Sequence, residues 1–290
     1  MMRFIVATAL VFGLSCPPVQ ANEVDTLGNA SRIVAIGGSI TEIVYALGEE
    51  HRLAGRDSTS LYPDAALALP DVGYMRQLSP EGVLSVDPDG MLALEGSGPP
   101  EALDVLKKAS VPLVMVPETF DRDGILAKIR AVGKALGVEA EADGLARSVG
   151  AELDAATALT AGIDDRRRVL FVLSLQGGKV LASGTGTAAD GMISLAGGVN
   201  AVTGFSGYKQ LTDEAIIEAR PEIIMMMARG GDLDIAEAEL FALPALAATP
   251  AARNRKLVKM NGLYLLGFGP RTASAVRDLA RSLYGDDMAD

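Results

Sequence analysis

A short pattern of chemically active residues occurs twice in this chain, at 73–89 and at 207–222. Each copy contains a Gly-Tyr pair, a cation, Gln-Leu, a hydroxyl residue, a glutamate and, further on, a proline that precedes an apolar run. The hydroxyl residue and the proline are explained by a helix start and its surroundings, and the acid also suits the first turn of a helix. We interpret the Gly-Tyr-cation part, which supplies Tyr74 and Tyr208, as a pair of functional segments that combine a phenol with a positive charge.

Two α/β halves are predicted to carry the two copies. In the first half, a β-branched run at 32–36 is followed by a glycine turn and by a helix at 42–47, for which Ser39 or Thr41 is the expected cap. In the second half, strands are predicted at 168–175 and 179–182, and a helix at 188–195. The predicted fold class is therefore α/β, with two Rossmann-like lobes.

The stretch between the halves is predicted to be helical. It contains no proline over 121–162, has apolar residues at helical spacing, and is rich in Ala, Glu and Leu after Gly137. A long helix here would join the lobes as a stiff strut. We divide the chain into a targeting segment at 1–21, an N-terminal lobe at 22–120, a connecting helical segment at 121–162 and a C-terminal lobe at 163–290.

The repeat predicts a ligand cleft between the two lobes. Ligands of open α/β sheets bind beyond the carboxyl ends of the strands, where the connecting loops lie. A pseudo-twofold relation would bring Tyr74 and Tyr208 towards each other from opposite walls. The same relation would place Glu81 and Glu214 near the rims as a matched acidic pair.

Composition excludes several classes of protein. The chain has 26 Lys and Arg against 37 Asp and Glu, a net charge of −11 that disfavours a general nucleic-acid binder. Its one histidine, His51, and one cysteine, Cys16, exclude a His/Cys zinc site, a Cys-ligated iron–sulfur cluster and a Cys–His dyad. Because the Gly-x-Ser-x-Gly elbow of many hydrolases is also missing, we do not expect an enzyme.

The first 21 residues are interpreted as a secretory signal. Arg3 provides a positive start, an apolar run follows at 4–14, and small residues precede a cleavage point after Ala21. A buried N-terminal helix and lipidation at Cys16 are the alternatives. No later apolar run approaches twenty residues, so the mature protein is expected to be soluble, periplasmic and not embedded in a membrane.

Three segments, at 73–89, 206–215 and 263–272, resemble the haem-binding periplasmic proteins of bacterial haemin ABC importers, the HmuT type. These belong to the class of substrate-binding proteins with a helical backbone, together with the cobalamin and siderophore carriers. The resemblance implies two lobes joined by a long backbone helix, with the ligand cleft between them. It also implies that haem is a transported ligand and that the protein serves iron acquisition.

The resemblance assigns roles to individual residues. In the family, the tyrosine of the first Gly-Tyr motif is the axial ligand of haem iron, which is Tyr74 here, so the metal site consists of haem iron only. A phenolate suits ferric iron, but free tyrosine has a pKa near ~10, so a nearby cation must favour the charged form. The second-lobe arginine that supplies this cation in the family matches Arg229, with Arg76 as a local alternative. The remaining implied contacts are Tyr208, at the porphyrin or the far side of the iron, and Arg56 and Lys209, at the propionates.

Glu81 and Glu214 match the two glutamates by which this class docks onto its transporter. One glutamate on each lobe would engage arginines on the two copies of a dimeric permease, which works with its ATPase subunits. The alternative is that both are ordinary acids in a first helical turn. His51 lies in a polar connector and is not expected to bind iron, so we expect five-coordinate iron.

The predicted function is therefore a monomeric binding protein that captures haem and delivers it to an ABC importer of the cytoplasmic membrane. One alternative is the same scaffold carrying cobalamin or a ferric siderophore. An exported enzyme that degrades haem or hydrolyses a substrate is the other alternative.

Overall fold

The structure, a computed structural model, describes residues 25–228, 235–285 and 288. The predicted signal at 1–21, Cys16 and Arg229 lie outside the described residues.

The described residues form strands, α-helices and two short 3₁₀ helices, Glu50–Arg52 and Asp64–Ala68, in the first half. The strands are β1 Ile33–Ile36, β2 Leu53–Arg56, β3 Gly90–Leu94, β4 Leu113–Val116, β5 Arg168–Gln176, β6 Lys179–Ser183, β7 Val199–Asn200, β8 Tyr208–Gln210, β9 Ile223–Ala228 and β10 Leu257–Asn261. The α-helices are α1 Gly38–Ala46, α2 Pro80–Leu84, α3 Pro100–Lys108, α4 Arg122–Leu136, α5 Glu139–Ala158, α6 Ala188–Leu195, α7 Asp213–Ala219, α8 Glu237–Ala242, α9 Pro244–Ala247, α10 Pro250–Arg253, α11 Gly262–Leu266 and α12 Thr272–Tyr284.

The first lobe is built on a four-stranded parallel sheet in the order β2-β1-β3-β4. Strands β1 and β3 are buried along their whole length, which is typical of a parallel sheet covered on both faces. Because the strands are parallel, the loops after all four of them meet at one edge of the sheet. That edge carries the first copy of the repeat.

The second lobe is built on a mixed sheet in the order β10-β9-β5-β6-β8, with β7 paired to β5. Strands β10, β9, β5 and β7 run parallel, whereas β6 and β8 are antiparallel to their neighbours. The predicted α/β fold with two lobes is confirmed. The second copy of the repeat lies on β8 and α7.

The connecting segment forms two helices because the chain turns at Gly137, whose φ of 76° is accessible to glycine. Asp121 caps α4, and its carboxylate accepts a hydrogen bond from the Gly124 backbone N–H at 2.7 Å. Helix α5 spans 20 residues and packs against both α4 and α12. The second helix therefore matches the helix predicted after Gly137.

One predicted cap is wrong. Helix α1 starts at Gly38, so Ser39 and Thr41 lie inside it. Side chains from the loop after β2 replace a local cap: the Asp57 carboxylate accepts from the Gly37 N–H at 3.0 Å, and the Thr59 hydroxyl from the Gly38 N–H at 3.1 Å. The caps at Ser79, Thr187 and Thr212 are present, each with the expected hydrogen bond to the first turn.

A buried polar joint connects the lobes. Lys128 on α4 has no exposed surface, and its Nζ contacts Glu118 Oε1 at 2.7 Å and donates to the Phe268 carbonyl at 3.1 Å. Beside it, the buried Glu42 accepts from the backbone N–H of Arg271 at 3.1 Å and from its guanidinium at 2.9 Å. We call residues 267–271 of the second lobe, together with Glu42, Glu118 and Lys128, the interlobe joint.

Among the helices in the described ranges, none combines the length and the apolar character that a membrane span requires.

Candidate functional site

Tyr74 lies on the loop between β2 and α2, and its side chain is 38% exposed. Gly73 precedes it with a φ of 106°, a left-handed conformation that favours glycine. The loop is fixed to its neighbours by backbone hydrogen bonds, from Ser58 N–H to the Gly73 carbonyl and from Gly98 N–H to the Met75 carbonyl, both 2.9 Å. An anchored loop therefore presents an exposed phenol at the carboxyl edge of the first sheet.

Arg76 is the immediate partner of this phenol. Its Nη1 donates a hydrogen bond to Tyr74 Oη at 2.9 Å. An arginine guanidinium is a permanent cation, so it stabilises negative charge on the tyrosine oxygen. The spacing of two residues thus produces a phenol and a permanent cation in direct contact.

Tyr208 is the counterpart on the second lobe. It begins β8, is 38% exposed, and its ring meets the edge of Phe171 with the centroids 6.5 Å apart. Burial raises the pKa of Tyr208, while a hydrogen bond with Thr187 and the charge of Arg76 act in the opposite direction. Because a first-lobe cation acts on a second-lobe phenol, Tyr74, Arg76 and Tyr208 border the same cleft.

Glu118 brings a carboxylate to this cleft from the loop after β4. Burial raises the pKa of Glu118, and the charges of Lys128 and Arg76 oppose that rise. Arg76 is therefore within electrostatic range of Glu118 as well as in contact with Tyr74. Among the described residues, the site therefore combines the phenols of Tyr74 and Tyr208 with the exposed cation of Arg76 and with the Glu118 carboxylate, which is paired with Lys128.

Comparison with known proteins gives the family. The profile of the Periplasmic binding protein family matches residues 33–262. The chain belongs to the periplasmic binding protein family. This family and the similar solved structures are substrate-binding proteins and not enzymes.

Two solved periplasmic binding proteins have folds that are similar to the fold of this chain. The periplasmic haem-binding protein BhuT, in complex with two haems, is 42% identical, with 87% of this chain and 97% of that one covered and a TM-score of 0.80. The periplasmic haem-binding protein RhuT from Roseiflexus sp. RS-1, in apo form, is 38% identical, with 88% and 98% covered and a TM-score of 0.84.

Two further sequences extend the comparison. The ABC transporter substrate-binding lipoprotein YvrC of Bacillus subtilis is 26% identical over 97% of this chain and 88% of its own length. The vitamin B12-binding protein of Yersinia pestis is 31% identical, but over only 37% of this chain and 35% of its own length.

Not every predicted contact residue of this binding protein reaches the cleft. Arg56 is buried and donates to the carbonyls of Ala66 and Asp57 and to the Asp71 carboxylate, so its donors hold the loop after β2. Lys209 lies over the Phe205 ring at 5.2 Å, and adjacent residues of a strand point to opposite faces, so it is turned away from Tyr208. We therefore leave Arg56 and Lys209 out of the proposed site.

His51 lies in an exposed 3₁₀ turn before β2. The amino end of that strand is opposite the edge that carries Tyr74. This position separates the imidazole from the cleft of the binding protein.

Glu81 and Glu214 occupy equivalent positions in the first turns of α2 and α7. The pKa of each is lowered, first by a hydrogen bond from its own backbone amide and then by one from Ser79 or Thr212. Both carboxylates are exposed and ionised at neutral pH. Their local geometry therefore repeats between the lobes, as the two sequence copies predict.

Sequence reasoning missed the contacts that the Gly-Phe-Gly-Pro-Arg segment makes. Phe268 is buried against Phe120, with ring centroids 5.3 Å apart, and the Arg271 guanidinium lies 3.5 Å from the centroid of the Tyr62 ring. The segment stood out by its resemblance to the haem-binding family, but its partners are distant in sequence, so no local pattern identified them. Within the described residues of the binding protein, no group of three or more His, Cys, Asp or Glu side chains forms a metal site.

Proposed function

We propose that this periplasmic binding protein captures haem and delivers it to an ABC importer of the cytoplasmic membrane. The proposal is supported by the hydrogen bond from Arg76 to Tyr74, together with the charge that Arg76 exerts on Tyr208 of the second lobe. The match covers nearly the whole length of the haem-binding proteins BhuT and RhuT. Their similarity to this chain supports the same ligand.

In the proposed site, the Tyr74 oxygen binds ferric iron of haem, the transported ligand. Arg76 donates a hydrogen bond to that oxygen and stabilises its negative charge. Tyr208 has a raised pKa and stays a neutral phenol at neutral pH, so it contacts the porphyrin and does not compete for the iron. With no histidine near the cleft, we propose five-coordinate iron.

A titration of the protein with hemin tests this function. We expect a shifted Soret band that saturates, and unchanged hemin recovered after incubation, as a carrier requires. Cyanocobalamin added to the same protein is expected to leave no bound fraction after desalting. Retention of cyanocobalamin without any hemin complex would favour the alternative that the partial match to the vitamin B12-binding protein suggests, and conversion of hemin to another product would favour an enzyme.

Arg76 is the proposed charge partner of the iron ligand, in preference to the family arginine that matches Arg229. We expect Arg76→Met to weaken hemin binding about tenfold while the iron stays bound to tyrosine, the size of effect seen when a ligand loses a neighbouring hydrogen bond. Lys209→Met, which removes the cation of the second repeat copy, is the matched control and should bind hemin normally. Hemin titrations that rank the two variants in the reverse order would contradict the assignment.

Glu81 and Glu214 are the proposed docking residues for a dimeric permease. Replacing both with alanine is expected to leave hemin affinity unchanged and to reduce haem uptake at least about tenfold, because two desolvated charge pairs with permease arginines are lost. A double variant of two other exposed first-turn glutamates, Glu101→Ala with Glu239→Ala, is the control. Normal uptake by the Glu81 and Glu214 variant in reconstituted vesicles would rule out the docking role.

We further propose that the protein is a monomer, exported by a signal that is cleaved after Ala21, with lobes at 22–120 and 163–290. The mass of the protein isolated from the periplasm tests the cleavage point, and its N-terminus would then be Asn22.

A further inference from the structure

We propose that Tyr62, together with Leu61, forms an apolar wall of the cleft against which the flat ring of a tetrapyrrole packs. The inference rests on the proposed function and adds residues that recognise the macrocycle and not its metal. Neither residue belongs to the repeat or to the three segments that carry the family resemblance.

The first observation is exposure. Leu61 is 50% exposed and Tyr62 is 40% exposed, and within the described residues they belong to a short stretch, 61–74, that contains four exposed large side chains: Leu61, Tyr62, Leu67 and Tyr74. Single exposed apolar residues are ordinary, but several in one loop region mark a surface that is covered by a ligand or partner.

The second observation places these residues beside the iron ligand. Leu61, Tyr62 and Tyr74 lie on the same long loop between β2 and α2. Its first part is joined to the segment around Tyr74 by the hydrogen bond from Ser58 N–H to the Gly73 carbonyl, at 2.9 Å. The Thr59 hydroxyl also contacts the Met75 sulfur at 3.9 Å. Ser58 and Thr59 thus contact the residues on either side of Tyr74, and Tyr62 follows Thr59 by three residues.

The third observation places Tyr62 where the two lobes meet. The Arg271 guanidinium, from the second lobe, stacks on the Tyr62 ring at 3.5 Å and is held by the buried carboxylate of Glu42 at 2.9 Å. One face of the ring is thus covered by a fixed cation, and the exposed remainder of the ring is left for a ligand. A ring that is oriented before binding loses little conformational freedom when an aromatic ligand packs on it.

A ring-binding wall and a metal ligand make separable contributions, which two probes distinguish. Tyr62→Ala is expected to weaken the binding of both hemin and metal-free protoporphyrin IX at least about tenfold, because both lose the same apolar contact. Tyr74→Phe, which keeps a ring but lacks the oxygen, should weaken hemin binding and leave protoporphyrin IX binding unchanged. Tyr62→Phe should bind both probes as the wild type does.

The controls keep the wall and the proposed function separate. Val105→Ala, which truncates an exposed apolar side chain on α3, should bind both probes normally. If thermal melting shows that Tyr62→Ala does not fold, Leu61→Ala decides the matter, with the same loss expected for both probes. Wild-type affinity of the folded wall variants for protoporphyrin IX would overturn this inference alone, whereas failure of the wild type to bind hemin would overturn the proposed function as well.

Discussion

Replacing Tyr74 with alanine is expected to lower hemin affinity at least about 100-fold, because loss of a direct metal ligand costs more than loss of a ligand's hydrogen-bond partner. The ferric complex should also lose the charge-transfer bands of a tyrosinate ligand, since the phenolate oxygen is the only anionic donor proposed for the iron. A hemin titration followed by absorbance and by electron paramagnetic resonance measures both effects.

Tyr208→Ala is the matched control for this substitution, because Tyr208 holds the equivalent position in the second lobe and has the same exposed fraction. It should weaken hemin binding less and keep the tyrosinate bands. If the bands disappear in Tyr208→Ala and persist in Tyr74→Ala, the iron ligand lies on the opposite wall.

Replacing Lys128 with methionine is expected to give the largest loss of stability. The substitution leaves the Glu118 carboxylate buried without its cation, and breaking a buried ion pair in this way costs about 3–5 kcal/mol of unfolding free energy. The Phe268 carbonyl of the second lobe also loses a donor from helix α4. Denaturant unfolding monitored by circular dichroism measures the change in midpoint and in free energy.

Lys134→Met on the same helix is the control. Lys134 forms an exposed ion pair with Asp25 at 2.8 Å, and such pairs contribute at most about 1 kcal/mol. Adding Glu118→Gln to Lys128→Met should restore part of the lost stability, because it removes the unpaired charge. Equal losses for the Lys128 and Lys134 variants would show that the interlobe joint does not stabilise the fold.

The features that sequence reasoning predicted correctly are set by local chemistry. Ser79 and Thr212 cap their helices because a hydroxyl can reach an amide three residues ahead. The apolar runs of β3 and β9 form largely buried strands whose sheet neighbours run parallel to them. The helix predicted after Gly137 forms as α5, in a stretch that is rich in good helix formers.

The features that sequence reasoning missed depend on contacts between distant residues. Position 38 has to be glycine because a Cβ there would lie 2.5 Å from Leu263 Cδ1 and 2.7 Å from the Thr59 carbonyl oxygen, and neither neighbour is visible in the local pattern. The resemblance implies that Arg56 contacts the propionates, yet its guanidinium donates to Asp71, across a loop. The orientation of Lys209 does follow from the sequence, because side chains alternate between the two faces of a strand. A residue next to Tyr208 must therefore point away from it.

The interlobe joint has a consequence for transport. If the proposed docking residues Glu81 and Glu214 are to keep one separation with and without haem, the second-lobe segment 267–271 has to stay seated in the first lobe when haem binds. An importer that measured only that distance could not tell a loaded carrier from an empty one. Binding protein without haem would then compete for the same permease, so haem uptake would fall once the binding protein outnumbered the haem.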